Sequence, residues 1–260
     1  MVVAAVLYTY RGRMILGGVL TALAVALELY ANHLQITYYL VLVLILIGVV
    51  QFVKDLKANN LTSFAKRSGV LVLAALLASG TAVTRLSTTM EYGTESTRGK
   101  SELTTDLDNK TSGLDKDYAT SWSYGIAETF TLLIPNFYGG ASQGELTTDS
   151  ETYQAIKRAP NAKQLIKQLP LYWGAQPFTS GPTYAGAIVM FLFIFGLLFV
   201  KSEIRVWILL ATIMSIMLAW GKNFMPLTDL FLDYFPGYNK FRAVSMILVI
   251  AEFTLPLLGL

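Results

Sequence analysis

Few residues of this 260-residue chain could do chemistry, and the first group lies in the polar turn ELYANHLQITYY. It contains Glu28, His33 and Gln35, and Asn32 would share a helical face with Glu28 if the helix continued. A carboxylate buried near a membrane boundary is costly unless it is paired. We interpret the turn as the polar wall of an outward-facing cavity that contacts a sugar or phosphate. The alternative is an interface cap that binds lipid headgroups.

The second group ends the stretch GKNFMPLTDLFLDYFPGYNKFRA, where Lys240 and Arg242 precede the last apolar segment. Positive residues are uncommon on the outer face of a membrane protein, which is where this stretch is predicted to lie. The planar guanidinium of arginine can bind a phosphate through two N–H groups. The pattern therefore predicts capture of a lipid-linked phosphate, with snorkelling to ordinary headgroups as the alternative.

Two further acids lie in apolar surroundings. Glu128 sits beside Trp122 and Tyr124 in a predicted helix, where a carboxylate needs a reason, and we treat it as a candidate substrate contact. Glu252 lies in the middle of the last apolar segment, where an ionisable residue indicates function by default. For Glu252 a polar partner on a neighbouring helix is the favoured interpretation over catalysis.

The composition excludes several kinds of site. The chain has no cysteine and one histidine, which rules out disulfide scaffolds, zinc–thiolate sites, iron–sulfur clusters and histidine-rich metal sites. The acidic run near 106–118 lacks the spacing of a calcium loop. We therefore expect no cofactor, and the sequence does not support a divalent cation. No basic run interleaved with aromatics indicates nucleic acid, and no glycine-rich phosphate loop is present.

The elements that position these residues are apolar. Hydrophobic residues make up 54% of the chain and charged ones 14%, against ~25% charged in ordinary soluble domains. A membrane span needs about 20 apolar residues, with about 17 as the lower limit. The sequence predicts an all-α, polytopic helical membrane protein with about six spans, at 14–30, 36–53, 68–84, 183–200, 206–220 and 244–260.

The distribution of Lys and Arg orients these spans. The connectors before the first span, between the second and third, and between the fourth and fifth carry the positive charge and are predicted to be cytoplasmic. The predicted domains are a membrane region over 1–86, an extracytoplasmic loop region over 87–182 and a second membrane region over 183–260. The predicted location is the bacterial inner membrane with the large loop outside.

Short helices are predicted within and before these regions. Residues 126–134 indicate an amphipathic or interfacial helix ended by Pro135, and 151–169 indicate one or two helices broken at Pro160. Residues 1–10 are interpreted as the tail of a helix. Both ends lack flanking signals, so we expect the chain to be an internal piece of a longer protein.

The chain resembles the YfhO family of bacterial integral membrane proteins, in the versions typical of Bacteroidetes. The resemblance lies in the turn ELYANHLQITYY and in the strings SWSYGIAETFTLLIPNFYGG, YWGAQPFTSGPTYAGA, AWGKNF and YNKFRAVSMILVI. The resemblance covers nearly the whole chain. The family is grouped with GT-C type glycosyltransferases, which move a sugar from a polyprenyl-phosphate carrier to an acceptor outside the membrane.

The resemblance implies a polyprenyl-phosphate sugar donor, membrane lipid and a glycan or lipid acceptor as partners. It implies substrate contact by His33, Gln35 and Arg242, and it implies a catalytic Asp or Glu in an early outward loop. We expect that loop to lie upstream of Met1, so this piece alone is expected to be inactive. The alternatives are a lipid or glycan transporter or flippase, and a non-catalytic membrane scaffold.

Overall fold

The computed structural model describes residues 1–100 and 105–259, and within them the chain is built from helices and turns. Its α-helices are α1 (Val2–Tyr10), α2 (Met14–Tyr30), α3 (Leu34–Lys57), α4 (Leu61–Gly80), α5 (Val83–Thr94), α6 (Lys116–Ala119), α7 (Glu151–Ile156), α8 (Ala162–Leu165), α9 (Ala187–Phe199), α10 (Ile204–Ala219), α11 (Met225–Tyr234) and α12 (Leu248–Gly259). Short 3-10 helices cover Ala127–Leu132, Gly221–Phe224, Tyr238–Lys240 and Val244–Ile247. Strands are absent from the described residues, where β pairing is limited to isolated bridges joining Gly139 to Tyr172 and Gly144 to Leu169.

The chain divides into two compact units, and the first comprises Met1–Leu114 and Val200–Ile213. Its helices α1, α2 and α4 pack against one another. Close approach of α1 and α2 depends on Gly17, since a Cβ there would lie 2.3 Å from the Thr9 Oγ1 atom. Small residues at such crossings let helix backbones pack closely in membranes.

Polar side chains close the helix ends of this unit. The His33 Nδ1 atom accepts a hydrogen bond from the Ile36 N–H at 3.4 Å and so caps the start of α3. Arg85 donates from its guanidinium to the carbonyl oxygens of Leu29 and Tyr30, which end α2. A cation at a helix C-terminus satisfies orphan carbonyl groups and complements the helix dipole.

The second unit comprises Asp115–Phe199 and Met214–Leu260. In it the apolar helices α9 and α12 pack together, and a Cβ on Gly196 would lie 2.4 Å from the Leu258 carbonyl oxygen. Between α10 and α11 the chain bends by 111°. Gly221 stands at the bend with a φ of +47°, and a Cβ there would lie 2.1 Å from the Ser123 Oγ atom. The bend therefore requires glycine.

Two helices are long and apolar enough to cross a membrane, Leu34–Lys57 and Leu61–Gly80, and the bent pair Ile204–Ala219 with Gly221–Tyr234 makes a third if it counts as one span. The apolar helices Met14–Tyr30, Ala187–Phe199 and Val244–Gly259 are shorter. The prediction of an all-helical chain is thus confirmed for the described residues, and the two or three long apolar helices support association with a membrane. The number of six spans stays a prediction.

The helix bounds agree with several predictions. Helix α2 coincides with the predicted 14–30, residues 1–10 contain α1, and 151–169 contain α7 and α8 on either side of Pro160.

Other predicted bounds were wrong. The third apolar helix covers Leu61–Gly80 instead of 68–84, and it includes Lys66 and Arg67. The predicted helix over 126–134 is a shorter 3-10 helix. The stretch 221–243, predicted as a loop, contains α11.

Candidate functional site

Arg242 lies in a patch of aromatic side chains in the second unit. Its Nη1 atom donates a hydrogen bond to the Tyr118 hydroxyl at 2.8 Å. The guanidinium carbon lies 5.8 Å from the centroid of the Tyr118 ring and 5.6 Å from that of the Trp122 ring. Phe178 extends the patch, since its ring packs edge-on against Trp122 at 5.1 Å. We call these four residues the arginine patch.

The backbone around Arg242 presents the side chain outward. Arg242 lies between the 3-10 turns Tyr238–Lys240 and Val244–Ile247, next to Ala243, which has a left-handed φ of 59°. The Ser245 N–H donates to the Trp122 carbonyl at 3.1 Å, and the Trp122 indole N–H donates to the Phe178 carbonyl at 3.2 Å. These bonds tie together three separate segments of the chain, so the patch is formed before any ligand arrives.

The Arg242 side chain is exposed, as are Tyr118 and Phe178, while Trp122 is half-buried. A cation over aromatic faces is held there by the ring quadrupole. Such a surface can bind an anionic oxygen and also offers apolar faces for the C–H side of a sugar ring.

Glu128 forms the centre of a buried network. Its side chain is 3% exposed. Its Oε2 atom accepts from the Gly125 N–H at 2.9 Å, and its Oε1 atom accepts from the Tyr172 hydroxyl at 2.8 Å and the Gln176 amide at 3.2 Å. A buried carboxylate is tolerated only when donors surround it, and these three donors meet that requirement. The Glu128 carboxylate therefore holds the segment around Gly125 against the segment that contains Tyr172 and Gln176.

The network shifts the ionisation of Tyr172. Burial raises the pKa of its hydroxyl to about 12, the Gln176 backbone N–H opposes this rise, and donation to the Glu128 carboxylate adds to it. Deprotonation would place two negative oxygens next to each other. Tyr172 thus stays a neutral donor to Glu128 at ordinary pH.

Gln176 joins the Glu128 network to the arginine patch. Its Nε2 atom donates to Glu128, and its Oε1 atom accepts from the Ser245 hydroxyl at 3.1 Å. Ser245 in turn binds the Trp122 carbonyl through its N–H. Glu128 and Arg242, both predicted from the sequence, therefore belong to one connected cluster of the second unit.

A charged group lies beside Tyr118. The Lys116 ammonium contacts carboxylate oxygens of Asp229 at 2.7 Å and Asp233 at 3.4 Å. Partial burial lowers the pKa of Lys116, but the hydrogen bond to Asp229 and the charges of both acids outweigh burial and raise the pKa above 10.5. These contacts hold α6, which contains Tyr118, against α11.

The polar turn of the first unit makes local contacts. Gln35 donates to the Tyr39 hydroxyl at 2.7 Å, and Glu28 accepts from the Thr37 hydroxyl at 3.5 Å. Since α2 ends at Tyr30 and Asn32 has a φ of 59°, the helix does not continue to Asn32, and the condition for a face shared with Glu28 is not met.

The predicted substrate residues thus divide between the two units. Glu28, His33 and Gln35 belong to the first, while Glu128, Lys240 and Arg242 belong to the second. Lys240 ends the 3-10 turn Tyr238–Lys240 and is half-buried. Substrate contact by each of the six stays a prediction.

Sequence reasoning did not include Lys116, Tyr118, Trp122, Tyr172 and Gln176 among the site residues. The density of aromatic residues in 118–124 was the available signal. Glu252 is exposed on α12, and the predicted polar partner for it stays a prediction.

In the parts of the chain that the structure describes, no three or more His, Asp or Glu side chains are grouped closely enough to hold a metal ion. In the second unit, the arginine patch presents a guanidinium beside aromatic ring faces.

No protein-family model, curated protein or solved structure matches this chain.

Proposed function

We propose that this chain is part of a bacterial inner-membrane glycosyltransferase of the GT-C type, similar to the YfhO family. It takes a sugar from a polyprenyl-phosphate carrier for an extracytoplasmic acceptor, a glycan or a lipid. Six helices cross the membrane, and residues 87–182 lie outside. The observation that supports the proposal is the exposed Arg242 guanidinium, held against Tyr118 and Trp122 directly before the apolar segment 244–259.

The arginine patch fits the headgroup of the donor. A guanidinium stabilises phosphate oxygens through charge-assisted hydrogen bonds, including the negative charge that a leaving phosphate gains. Aromatic faces provide apolar contact for the sugar. Because Tyr118 already orients one N–H of Arg242, little side-chain entropy is lost when the phosphate binds.

The apolar surface supports a location in the membrane. Helix α9 carries no charge, and large side chains along it are exposed, among them Ile188, Phe191, Ile194, Phe195 and Leu198. Such a surface needs lipid or other apolar groups around it. Arg242 precedes α12, which packs against α9, and it would therefore lie near headgroup depth.

Glu128 supports the site indirectly. All three of its hydrogen bonds come from the protein, and its side chain is buried, so we assign it to positioning of the Trp122 segment through Gln176 and Ser245. The chain then contributes donor binding, and the carboxylate that activates the acceptor remains unassigned.

One observation favours a transporter as the second candidate. The 111° bend between α10 and α11 produces two short helical segments in place of one span. Broken helices of this kind line the substrate sites of many transporters. A flippase could use the same arginine patch to bind a lipid phosphate without making or breaking a bond.

An assay in membrane vesicles tests the proposal. Vesicles containing the protein receive polyprenyl-phosphate sugar with a labelled sugar, and label in the acceptor fraction is measured along with movement of the lipid across the bilayer. Transfer of label supports the enzyme. Lipid movement without transfer supports the transporter and contradicts the enzyme, and neither activity contradicts both.

Variants of Arg242 refine the test. Arg242→Ala removes a charge-assisted bond worth about 1.5–3 kcal/mol, so we expect the KM for the donor to rise about tenfold or more. Arg242→Lys keeps the charge but not the forked geometry, and we expect an intermediate loss. The control is Arg158→Ala, at an exposed arginine after α7, which should leave the kinetics unchanged. Equal donor kinetics for Arg242→Ala and wild type would remove Arg242 from the site.

A further inference from the structure

A second exposed surface of the second unit consists of aromatic side chains away from Arg242. We call it the aromatic ridge: Phe130, Phe137, Tyr138 and Trp173. The Phe137 ring lies 5.6 Å from both the Phe130 ring and the Tyr138 ring. Phe130, Phe137 and Trp173 are 55%, 46% and 78% exposed, whereas large aromatic groups in water are usually covered.

The ridge is rigidly built. The Trp173 N–H donates to the Tyr138 carbonyl at 2.9 Å. Between them Gly139 has a φ of +81°, and a Cβ at this position would lie 2.7 Å from the Trp173 Cδ1 atom. Only glycine at position 139 lets the Trp173 ring pack over the backbone there. The exposed position of Trp173 therefore results from a specific local structure.

The ridge is fixed to the beginning of the apolar helix α9. The Leu132 carbonyl, in the 3-10 helix that carries Phe130, accepts from the N–H groups of Ala185 and Gly186 at 3.2 and 3.0 Å. Ala187 then begins α9. The height of the ridge along the membrane normal is therefore set by the first residues of α9.

The segment that carries three of the four ridge residues is uncharged. Residues 129–144 contain no Asp, Glu, Lys or Arg. Ile126 and Ile134 add exposed aliphatic surface beside the aromatic rings. Tyr and Trp among aliphatic groups are typical of the boundary between hydrocarbon and headgroups, because one end of each ring is apolar and the other forms hydrogen bonds.

We propose that the aromatic ridge inserts into the outer interface of the lipid bilayer and holds the loop region at headgroup level. The inference rests on the proposed location of α9 in the membrane. The occupant is lipid because the ridge continues the apolar surface of α9, which requires lipid itself. With this anchor, a polyprenyl-phosphate headgroup would meet the loop region without leaving the bilayer.

Spin labels can test the proposal directly, because the chain contains no cysteine. Phe130→Cys and Phe137→Cys carry nitroxides, and the protein is placed in vesicles of phosphatidylcholine and phosphatidylglycerol. Accessibility to oxygen, which partitions into lipid, is compared with accessibility to a water-soluble nickel chelate. Phe191→Cys on α9 reports the membrane core. Leu165→Cys, at an exposed apolar residue on α8, is the matched control.

We expect the labels at 130 and 137 to favour oxygen over nickel, at depths between the labels at 191 and 165. If the labels at 130 and 137 are as accessible to nickel as the label at 165, insertion of the aromatic ridge is overturned. If the label at 191 is accessible to oxygen in that case, the proposed location of α9 in the membrane still stands. Nickel access at all four positions would overturn both. Labels at 130 and 137 shielded from both reagents would indicate a second copy or a protein partner, and would also overturn it.

The native tryptophan provides a second measurement. In vesicles with brominated lipid chains, Trp173→Phe should remove a large part of the quenchable fluorescence, because Trp173 is the most exposed residue of the ridge. Trp207→Phe, at a buried tryptophan of the first unit, is the comparison. Unchanged quenching in Trp173→Phe would contradict insertion, even if the cysteine variants failed to fold.

Discussion

Two charged side chains of the second unit, Glu128 and Arg242, are held in place by different kinds of contact. Glu128 is a charged group that the interior accepts because Gly125, Tyr172 and Gln176 all donate to it. Arg242 is a charged group that the surface retains because aromatic rings hold it in one orientation. Glu128 thus holds Gly125, Tyr172 and Gln176 together, and Arg242 is the residue for which we propose ligand binding.

Replacing Tyr172 by Phe tests the Glu128 network. The variant loses one hydrogen bond to a buried carboxylate, and we expect its free energy of unfolding in detergent to fall by about 1–3 kcal/mol at neutral pH. Tyr153→Phe in α7, outside this network, should have little effect. An unchanged stability of the Tyr172 variant would show that the network is not important for folding.

The pH dependence follows from the raised pKa of Tyr172, about 12 against an ordinary 10.0. A group whose pKa is higher in the folded state stabilises the protein fully below pH 10.0, and this contribution is lost as pH rises to about 12. We therefore expect the stability difference between wild type and Tyr172→Phe to shrink over this window. The ultraviolet absorbance of tyrosinate should also show a smaller late rise in Tyr172→Phe than in wild type, because Tyr124, whose pKa is also about 12, still titrates there.

At the scale of elements, helix contacts are controlled by glycines whose Cα atoms touch a neighbour. Gly17 in α2 and Gly69 in α4 both lie inside apolar helices, yet their surroundings differ. A Cβ on Gly17 would lie 2.9 Å from the Thr9 Cα atom, whereas nothing lies within 4 Å of a Cβ on Gly69. The sequence does not distinguish these positions.

Alanine at these two glycines should have opposite effects. Gly17→Ala forces α1 and α2 apart, and overpacking of this kind costs about 1–3 kcal/mol. Gly69→Ala stabilises the helix by about 0.5–1 kcal/mol, because alanine loses less backbone entropy. Thermal unfolding in detergent measures both. A shift of the melting temperature in the same direction for the two variants would contradict the close packing of α1 on α2.

At the scale of the whole molecule, helix length limits which segments can cross a membrane. Two helices meet the length and hydropathy of a span, and the bent pair makes a third. Helix α2 has 17 residues and a length of about 25 Å, and α9 is shorter, so these helices span only with help from flanking residues or a thinned bilayer.

Cysteine labelling distinguishes six spans from two or three. In sealed vesicles of known orientation, a membrane-impermeant maleimide is applied to single-cysteine variants at Ala31, Asn60, Glu151 and Lys201. Six spans place 60 and 201 on the cytoplasmic side, and 31 and 151 outside. If only α3, α4 and the bent pair cross the membrane, position 201 reacts together with 151. Labelling of 201 from the outside would therefore contradict the six-span topology.

The sequence by itself determined the class of this protein and the approximate positions of its helices. Long runs with at most one charge can satisfy their backbone groups in lipid only as helices, so α2 was predicted at its observed bounds. Arg242 and Glu128 were identifiable because a charge beside an apolar segment is costly and needs a cause. These inferences depend only on the residues of a short stretch of sequence and not on which residues lie near them in space.

Only the tertiary structure decided which residues meet. Arg242 contacts Tyr118 across 124 residues of sequence, and Glu128 contacts Gln176 across 48. The bend at Gly221 likewise depends on Ser123, which lies in a distant segment of the chain. Hydropathy and charge describe how a single residue interacts with solvent or lipid. They do not specify which residues from other segments it contacts, because those contacts form only when the segments pack together.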